Sequence, residues 1–303
     1  MDSSSKQIMP ALQQHQAFSK GSVGHATRSG TTEKQPEGYH YDFKNYGFPQ
    51  PPKFDNKLEE RKYLKGRLAA AFRIFGQKGF DEGVAGHITL RDPVEPHTMW
   101  VNPFGNAFKD IRRSDLIRID YHGHVLEGGP NKLVNRAAVL IHAAVHKARP
   151  DVMCAAHTHS CYGRAFATLG IPLPVTSQDG CAFYNDLELY NAFEGIVLED
   201  DEGQHIAEAI GPKKAMVLQN HGLLTCSDSV EATVFWYVSL EKLCQTHLLA
   251  MAAVGGDESR IAKVGDKEAA TSYKNVGVPM AGWFSAKPMF DMIAEETKEA
   301  YLV

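Results

Sequence analysis

Two histidines, His157 and His159, stand two residues apart in the block HTHS, directly after the apolar run VMCAA. Alternate residues of a strand point to one face, so imidazoles at i and i+2 can converge on a single ion. The alternative reading is a pair of histidines hydrogen-bonded at a sheet edge. A third histidine, His221, sits in QNHGLLT between two strand-like flanks, and Gly222 after it allows a tight turn with an unusual backbone angle. Three imidazoles suit one divalent ion, zinc first and manganese, iron or cobalt as alternatives, with a position left open for water or substrate. An open position is what Lewis-acid chemistry requires.

Those histidines need elements to hold them. From Leu58 onward apolar residues recur at helical spacing (Leu64, Leu68, Ala71, Phe72, Phe75) up to Gly76 and Gly79. GHITLRDP and HTMWVNP read as short strands, each ended by proline, and LIRIDYHGHVLEG as a hairpin around His-Gly. NRAAVLIHAAVHKARP is a helix that stops before Pro150, and DVMCAAHTHS is a buried strand delivering the histidine pair. Residues 160–169 read as helical, IPLPVTSQDG as a proline-rich strand, and 201–210 as a helix ended by Gly211. AMVLQNHGLLTCS is a strand, turn and strand, and the run from Val230 to about Gly255 is the longest helix. Mixed helices and strands around a mostly antiparallel meander indicate one α/β domain over 56–255. Residues 1–55 lack periodicity and read as a disordered extension, although the aromatic stretch 41–54 can dock on the body or on a neighbouring subunit. Residues 256–303 read as a polar tail whose Trp283 and Phe284 pack on the domain or a neighbour.

Composition narrows the field. A net charge of −4 over 303 residues offers no basic footprint for nucleic acid, and no apolar run reaches the roughly 20 residues of a membrane span. The first residues lack a basic region followed by an apolar core, so the expectation is a cytoplasmic protein without a secretory signal. Five cysteines without CxxC pairs fit reduced, buried thiols.

The stretch from GHITLRDP through HAAVHKARPDVMCAAHTHS to QNHGLLT, over roughly residues 58–250, resembles the class II aldolase/adducin family. The resemblance implies a three-layer αβα fold with a central, mainly antiparallel sheet, a homotetramer with sites at subunit boundaries, and a metal held by His157, His159 and His221. It also implies departures. Ala138 stands where the aldolases carry an acidic residue four positions before a helix histidine, here His142, and Asn135-Arg136-Ala137 stand where phosphate-binding serines are expected. His87 replaces the asparagine of the glycine-rich strand turn, and the second phosphate loop becomes NPFGN at 102–106. A sugar phosphate is therefore not the expected substrate. Arg136 and His87 are candidate binders of a carboxylate-bearing substrate. In the segment SQDGCAFYNDLELY, Asp179 is a candidate base and Tyr184 a candidate acid. The bland alternatives are a packed His142, a surface Arg136, a capping Asp179, a packed Tyr184 and a paired Glu241.

The expected function is a metal-dependent carbon–carbon lyase, retro-aldol or decarboxylase, that cleaves a small non-phosphorylated hydroxy or oxo acid through an enolate. An adducin-like interaction module without catalysis, or an epimerase using the same enolate, are the competing readings.

Overall fold

The computed structural model describes Phe43, residues 47–192 and residues 200–303. The greater part of the extension expected to be disordered, residues 1–42 and 44–46, lies outside the described residues.

Helix α1 (Lys57–Gln77) opens on Asn56, whose side chain accepts from the Leu58 N–H at 2.8 Å and satisfies a donor the helix start leaves free. Strands β1 (His87–Arg91), β2 (Thr98–Val101), β3 (Ile117–Asp120) and β4 (Val125–Glu127) form a meander, as read from the proline and His-Gly signals. Helix α2 (Arg136–Ala148) leads into β5 (Cys154–Thr158), the strand bearing His157, and then into the short α3 (Cys161–Ala167). After β6 (Leu187–Tyr190) and α4 (Asp200–Ile210), β7 (Ala215–Leu218) and β8 (Gly222–Ser227) flank His221. The chain ends with α5 (Val230–Ala253), α6 (Asp266–Val276) and α7 (Pro279–Thr297).

One eight-stranded sheet runs in the order β4-β3-β2-β1-β5-β8-β7-β6. Every neighbouring pair is antiparallel except β6 with β7. Strand period sorts side chains between two cores. Cys154, Ala156, Val217 and Leu223 join Phe72, Phe166, Trp236 and Phe290 on the α1/α3/α5/α7 side. Ala155, Met216, Leu218 and Leu224 join Ile141, Val145, Ile206 and Ile210 on the α2/α4 side. These are the three layers expected.

Two readings of the sequence change. Residues 171–176 form no strand: Pro172 and Pro174 lack N–H donors at alternate positions and so deprive one edge of a ladder. The strand of this region is β6, at the end of the segment SQDGCAFYNDLELY. The polar tail is two helices, and α7 is pressed so closely onto α5 that a Cβ at Gly282 would stand 2.5 Å from the Trp236 ring. The aromatic stretch docks on this same chain, Phe48 meeting Phe284 edge-on at 5.0 Å and Phe43 at 5.1 Å.

Candidate metal centre

Strand β5 ends at Thr158, and its α2-facing positions continue from Ala155 to His157. The β7–β8 turn brings His221 alongside. Asn220, not Gly222, takes the left-handed backbone there, with φ 57°. Gly222 serves a different purpose: a Cβ on it would lie 2.5 Å from the Thr158 carbonyl oxygen, so its lack of a side chain lets β8 close onto β5. One ligand atom from each of His157, His159 and His221 falls within 4.8 Å of the others. Ring centroids are 4.6–5.2 Å apart.

Hydrogen bonding fixes the tautomer of one of these rings, His157. His157 Nδ1 lies 2.9 Å from the Leu223 carbonyl, which can only accept, so Nδ1 carries the proton and Nε2 offers its lone pair. Burial drives His157 well below its ordinary basicity, and the neighbouring His221 adds to the effect. Burial lowers His221 to about 4, helped by His159. Burial also lowers His159, with Arg164 pushing the same way and Glu82 opposing. Neutral imidazoles grouped around one point are the donor set a divalent transition metal takes, so the residues fit such an ion.

His159 lies past the end of β5 and takes its position from the segment that follows. Glu241, buried on α5, accepts from Ser160 Oγ at 2.6 Å, Tyr162 N at 2.8 Å and Gly163 N at 2.7 Å. Tyr237 Oη bridges Thr158 and Ser160 at 2.6 and 3.1 Å. Glu241 is thus the paired carboxylate expected. Beside His159, Arg164 grips both oxygens of Glu82 at 2.6 and 3.0 Å. Sequence reasoning missed this ion pair, because 82 residues separate its partners and neither belongs to a motif.

His87 stands directly opposite His157 in the β1–β5 register, with ring centroids 5.2 Å apart. It is only 4% exposed, and both its ring nitrogens lack a hydrogen-bond partner. Such a buried imidazole beside the cluster has ring nitrogens that could pair with a small polar ligand. His142 is fully buried under α2, 2.6 Å from Thr89 Oγ1, and packs against His87. Arg136 opens α2 and is exposed. Since α2 sets His146 and His142 over Thr89, and His142 over His87, its first turn lies at the histidine end of β1.

Asp179 and Tyr184 are not brought to this cluster within the chain. Asp179 is exposed in a groove lined by Phe48, Phe235 and Phe284, without any of the cluster histidines. Tyr184 precedes β6, which runs parallel to β7 with Leu187 opposite Ala215, while His221 follows the far end of β7. Tyr184 and His221 therefore flank opposite ends of the β6–β7 pair.

Comparison with known proteins agrees with this architecture. The family model for the class II aldolase and adducin N-terminal domain matches residues 66–248. The decarboxylase NovR of Streptomyces niveus is 42% identical over 246 residues, 80% of this chain and 88% of that protein. The 4-hydroxy-3-prenylphenylpyruvate oxygenase/4-hydroxy-3-prenylbenzoate synthase of Streptomyces roseochromogenus is 41% identical over 245 residues, covering 80% and 86% of the two chains. Among solved structures, an L-fuculose 1-phosphate aldolase from Glaciozyma antarctica superposes with a TM-score of 0.77 at 45% identity, covering 83% of this chain and 96% of its own. The chain belongs to the class II aldolase/adducin family.

Proposed function

We propose that this protein is a divalent-metal-dependent carbon–carbon lyase for a small, non-phosphorylated hydroxy or oxo acid, with His157, His159 and His221 as ligands and zinc the first candidate among zinc, manganese, iron and cobalt. The convergence of three neutral imidazoles beside an unpaired fourth, His87, carries this reading. A bound ion would polarise an oxo or carboxylate oxygen of the substrate.

The chain's own groups supply recognition. His87 offers a neutral donor to a substrate oxygen, and Arg136 a guanidinium to a carboxylate. Both carboxylates beside the cluster are already committed, Glu82 to Arg164 and Glu241 to the α3 entrance. Neither is a free base, in keeping with a cleavage that needs an electron sink more than proton abstraction. In a 4-hydroxy-2-oxo acid the C3–C4 bond breaks and its electron pair passes to the C2 carbonyl. The C4 hydroxyl gives its proton to water as C4 becomes the aldehyde, and C3 takes a proton from water. Loss of CO2 from 4-hydroxyphenylpyruvate leaves its electron pair on the keto carbon and therefore requires O2 as the oxidant.

The two Streptomyces relatives support an acid substrate, one being named a decarboxylase and the other for a phenylpyruvate. The same two names make an aryl-substituted 2-oxo acid the first compound to test. The working unit is a homo-oligomer, a tetramer by family. Asp179 and Tyr184 act as proton-transfer groups only at the cluster of a neighbouring copy.

The test uses the full chain, purified without chelator, metal content measured, then stripped and reloaded with each of the four ions. A 4-hydroxy-2-oxo acid and 4-hydroxyphenylpyruvate, the latter with and without oxygen, are offered, and aldehyde, CO2 and oxygen uptake are recorded. About one equivalent of metal and metal-dependent cleavage of either acid are expected. Metal content well below one equivalent, or no cleavage with any ion, overturns the proposal.

A further inference from the structure

On the face of the sheet that α1 covers, a cavity of about 360 Å3 opens between α1 and the segment before β3. Arg61, Lys62 and Lys65 line it from the helix, and Arg113, Ser114 and Val303 from the other wall. Residues three and four apart share a helix face, which is why Lys62 and Arg61 point the same way as Lys65. The lining side chains include no acid. This cavity is separate from the histidine cluster. Trp100, beneath Lys65, pairs with Leu90 towards the end of β1, whereas His87 opens that strand, and α1 lies across the sheet from α2.

Charge in the cavity is not balanced. Arg61 is committed to Asp92 at 2.9 Å. The side chains of Lys62, Lys65 and Arg113 have no hydrogen-bond or ion-pair partner among the described residues. Lys65 is half-buried, and its Nζ stands 3.5 Å over the ring of Trp100, which attracts a cation without supplying a counter-charge. Burial lowers Lys65 to about 8, Arg113 and Arg61 adding to the effect and Glu127 and Asp92 opposing it. Val303 O accepts from the Ser114 N–H at 2.9 Å, and a negative charge there would offset one of the three unpaired cations at most.

We propose that Lys62, Lys65, Arg113 and the Ser114 hydroxyl bind the phosphate group of a small ligand at this second site. A phosphate monoester spreads close to two charges over three oxygens, which matches several cations and a hydroxyl converging from two walls; a carboxylate offers one charge on two oxygens. Lys65 meets it as a point charge and Arg113 as a planar fork. The cavity has room for more than inorganic phosphate, so an organic phosphate ester is the class of ligand. The site stands apart from the lyase reading, and a phosphate bound here is compatible with a phosphate-free substrate at the cluster.

The test treats full-length protein at pH 8 with pyridoxal 5′-phosphate or with pyridoxal, then with borohydride, and maps the labelled peptides. The neutral Lys65 amine adds to the aldehyde, water leaves, and hydride from borohydride reduces the imine to a stable secondary amine. Labelling of Lys65 is measured relative to the protein's other lysines, which cancels the different reactivity of the two aldehydes. That ratio is expected to be at least about tenfold higher with the phosphate-bearing aldehyde, and to fall when inorganic phosphate, but not acetate at equal ionic strength, is added. Arg113→Gln leaves the amine in place and is expected to bring the two ratios within about twofold of each other. Equal ratios in the wild type show a reactive amine without a phosphate site and overturn the proposal. A first label on another lysine, or protection by acetate as strong as by phosphate, overturns it too. The wild-type measurements decide the matter even if the variant does not fold.

Discussion

Single imidazoles decide most of the chemistry open to this protein, and their protonation does so at least as much as their position. His157 spends Nδ1 on the Leu223 carbonyl and keeps Nε2 bare, so a metal binding there would displace no proton from it. Removing a direct ligand should cost more than removing its support: His159→Ala is expected to weaken Zn2+ or Co2+ binding by at least about 100-fold in competition with a chromophoric chelator. Unchanged affinity would place the metal elsewhere. His146 gives a pH prediction away from the metal. Burial, with Arg91 beside it, lowers its pKa to about 3 from an ordinary 6.5. Between those values the ring is neutral in the fold and protonated in the unfolded chain, so unfolding takes up a proton. Its contribution is fully present above pH 6.5 and falls away as the pH drops, by up to about 1.4 kcal/mol per unit. Urea unfolding of chelated protein at pH 7, 6 and 5 should show this loss, and His146→Gln should show a shallower one.

At the scale of elements, the site depends on how strand ends and helix starts are tied together. The entrance of α3 is held by Glu241 through three bonds, and His159 lies immediately before that entrance. Glu241→Ala is expected to lower stability by about 1–3 kcal/mol, since it strips partners from buried donors. It should also weaken metal binding roughly tenfold through the displaced His159, whereas Glu241→Gln keeps one acceptor oxygen and loses less. Equal metal affinity in all three proteins would show that α3 does not position the ligand. Strand spacing supplies a second case. Gly222→Ala places a methyl 2.5 Å from the Thr158 carbonyl and must force β8 from β5. A stability loss of roughly 2 kcal/mol or more is expected by denaturant titration, together with weakened metal binding.

For the whole molecule, the sheet separates two districts. The histidine cluster occupies one end on the α2 side, while Asp179 lies in a groove against α5 and α7. At the opposite end of β7, Lys214 donates to Asp186 at 2.7 Å and to the carbonyls of Ala182 and Gly277 at 2.6 and 2.8 Å, fastening the segment after Asp179 and the end of α6 to the sheet. Under the proposed chemistry, a proton from Asp179 or Tyr184 would reach a cluster only between copies. Mixed oligomers made by co-expressing Asp179→Asn with His159→Ala should regain activity that neither variant has alone. Failure to complement, with both variants assembled, would remove Asp179 from the reaction. No helix among the described residues is long and apolar enough to cross a membrane.

The sequence by itself determined most of the strands, the major helices and the three histidines that the fold brings together, because period, proline breaks and the HTHS and NHG blocks are local signals that survive without folding. It misplaced one strand, since Pro172 and Pro174 outweigh the apolar run around them, and it assigned no helices to the polar tail, whose α7 packs on Trp236 through small residues such as Gly282. Only the tertiary structure decided which groups stand beside the three histidines. The pairing of Glu82 with Arg164, the hold of Glu241 on the α3 entrance, and the bonds of Thr89 to His142 and His146 each join residues some 50 to 80 positions apart. Such contacts are set by the strand order β1-β5-β8 and by which helix covers which face, quantities that no window of sequence contains.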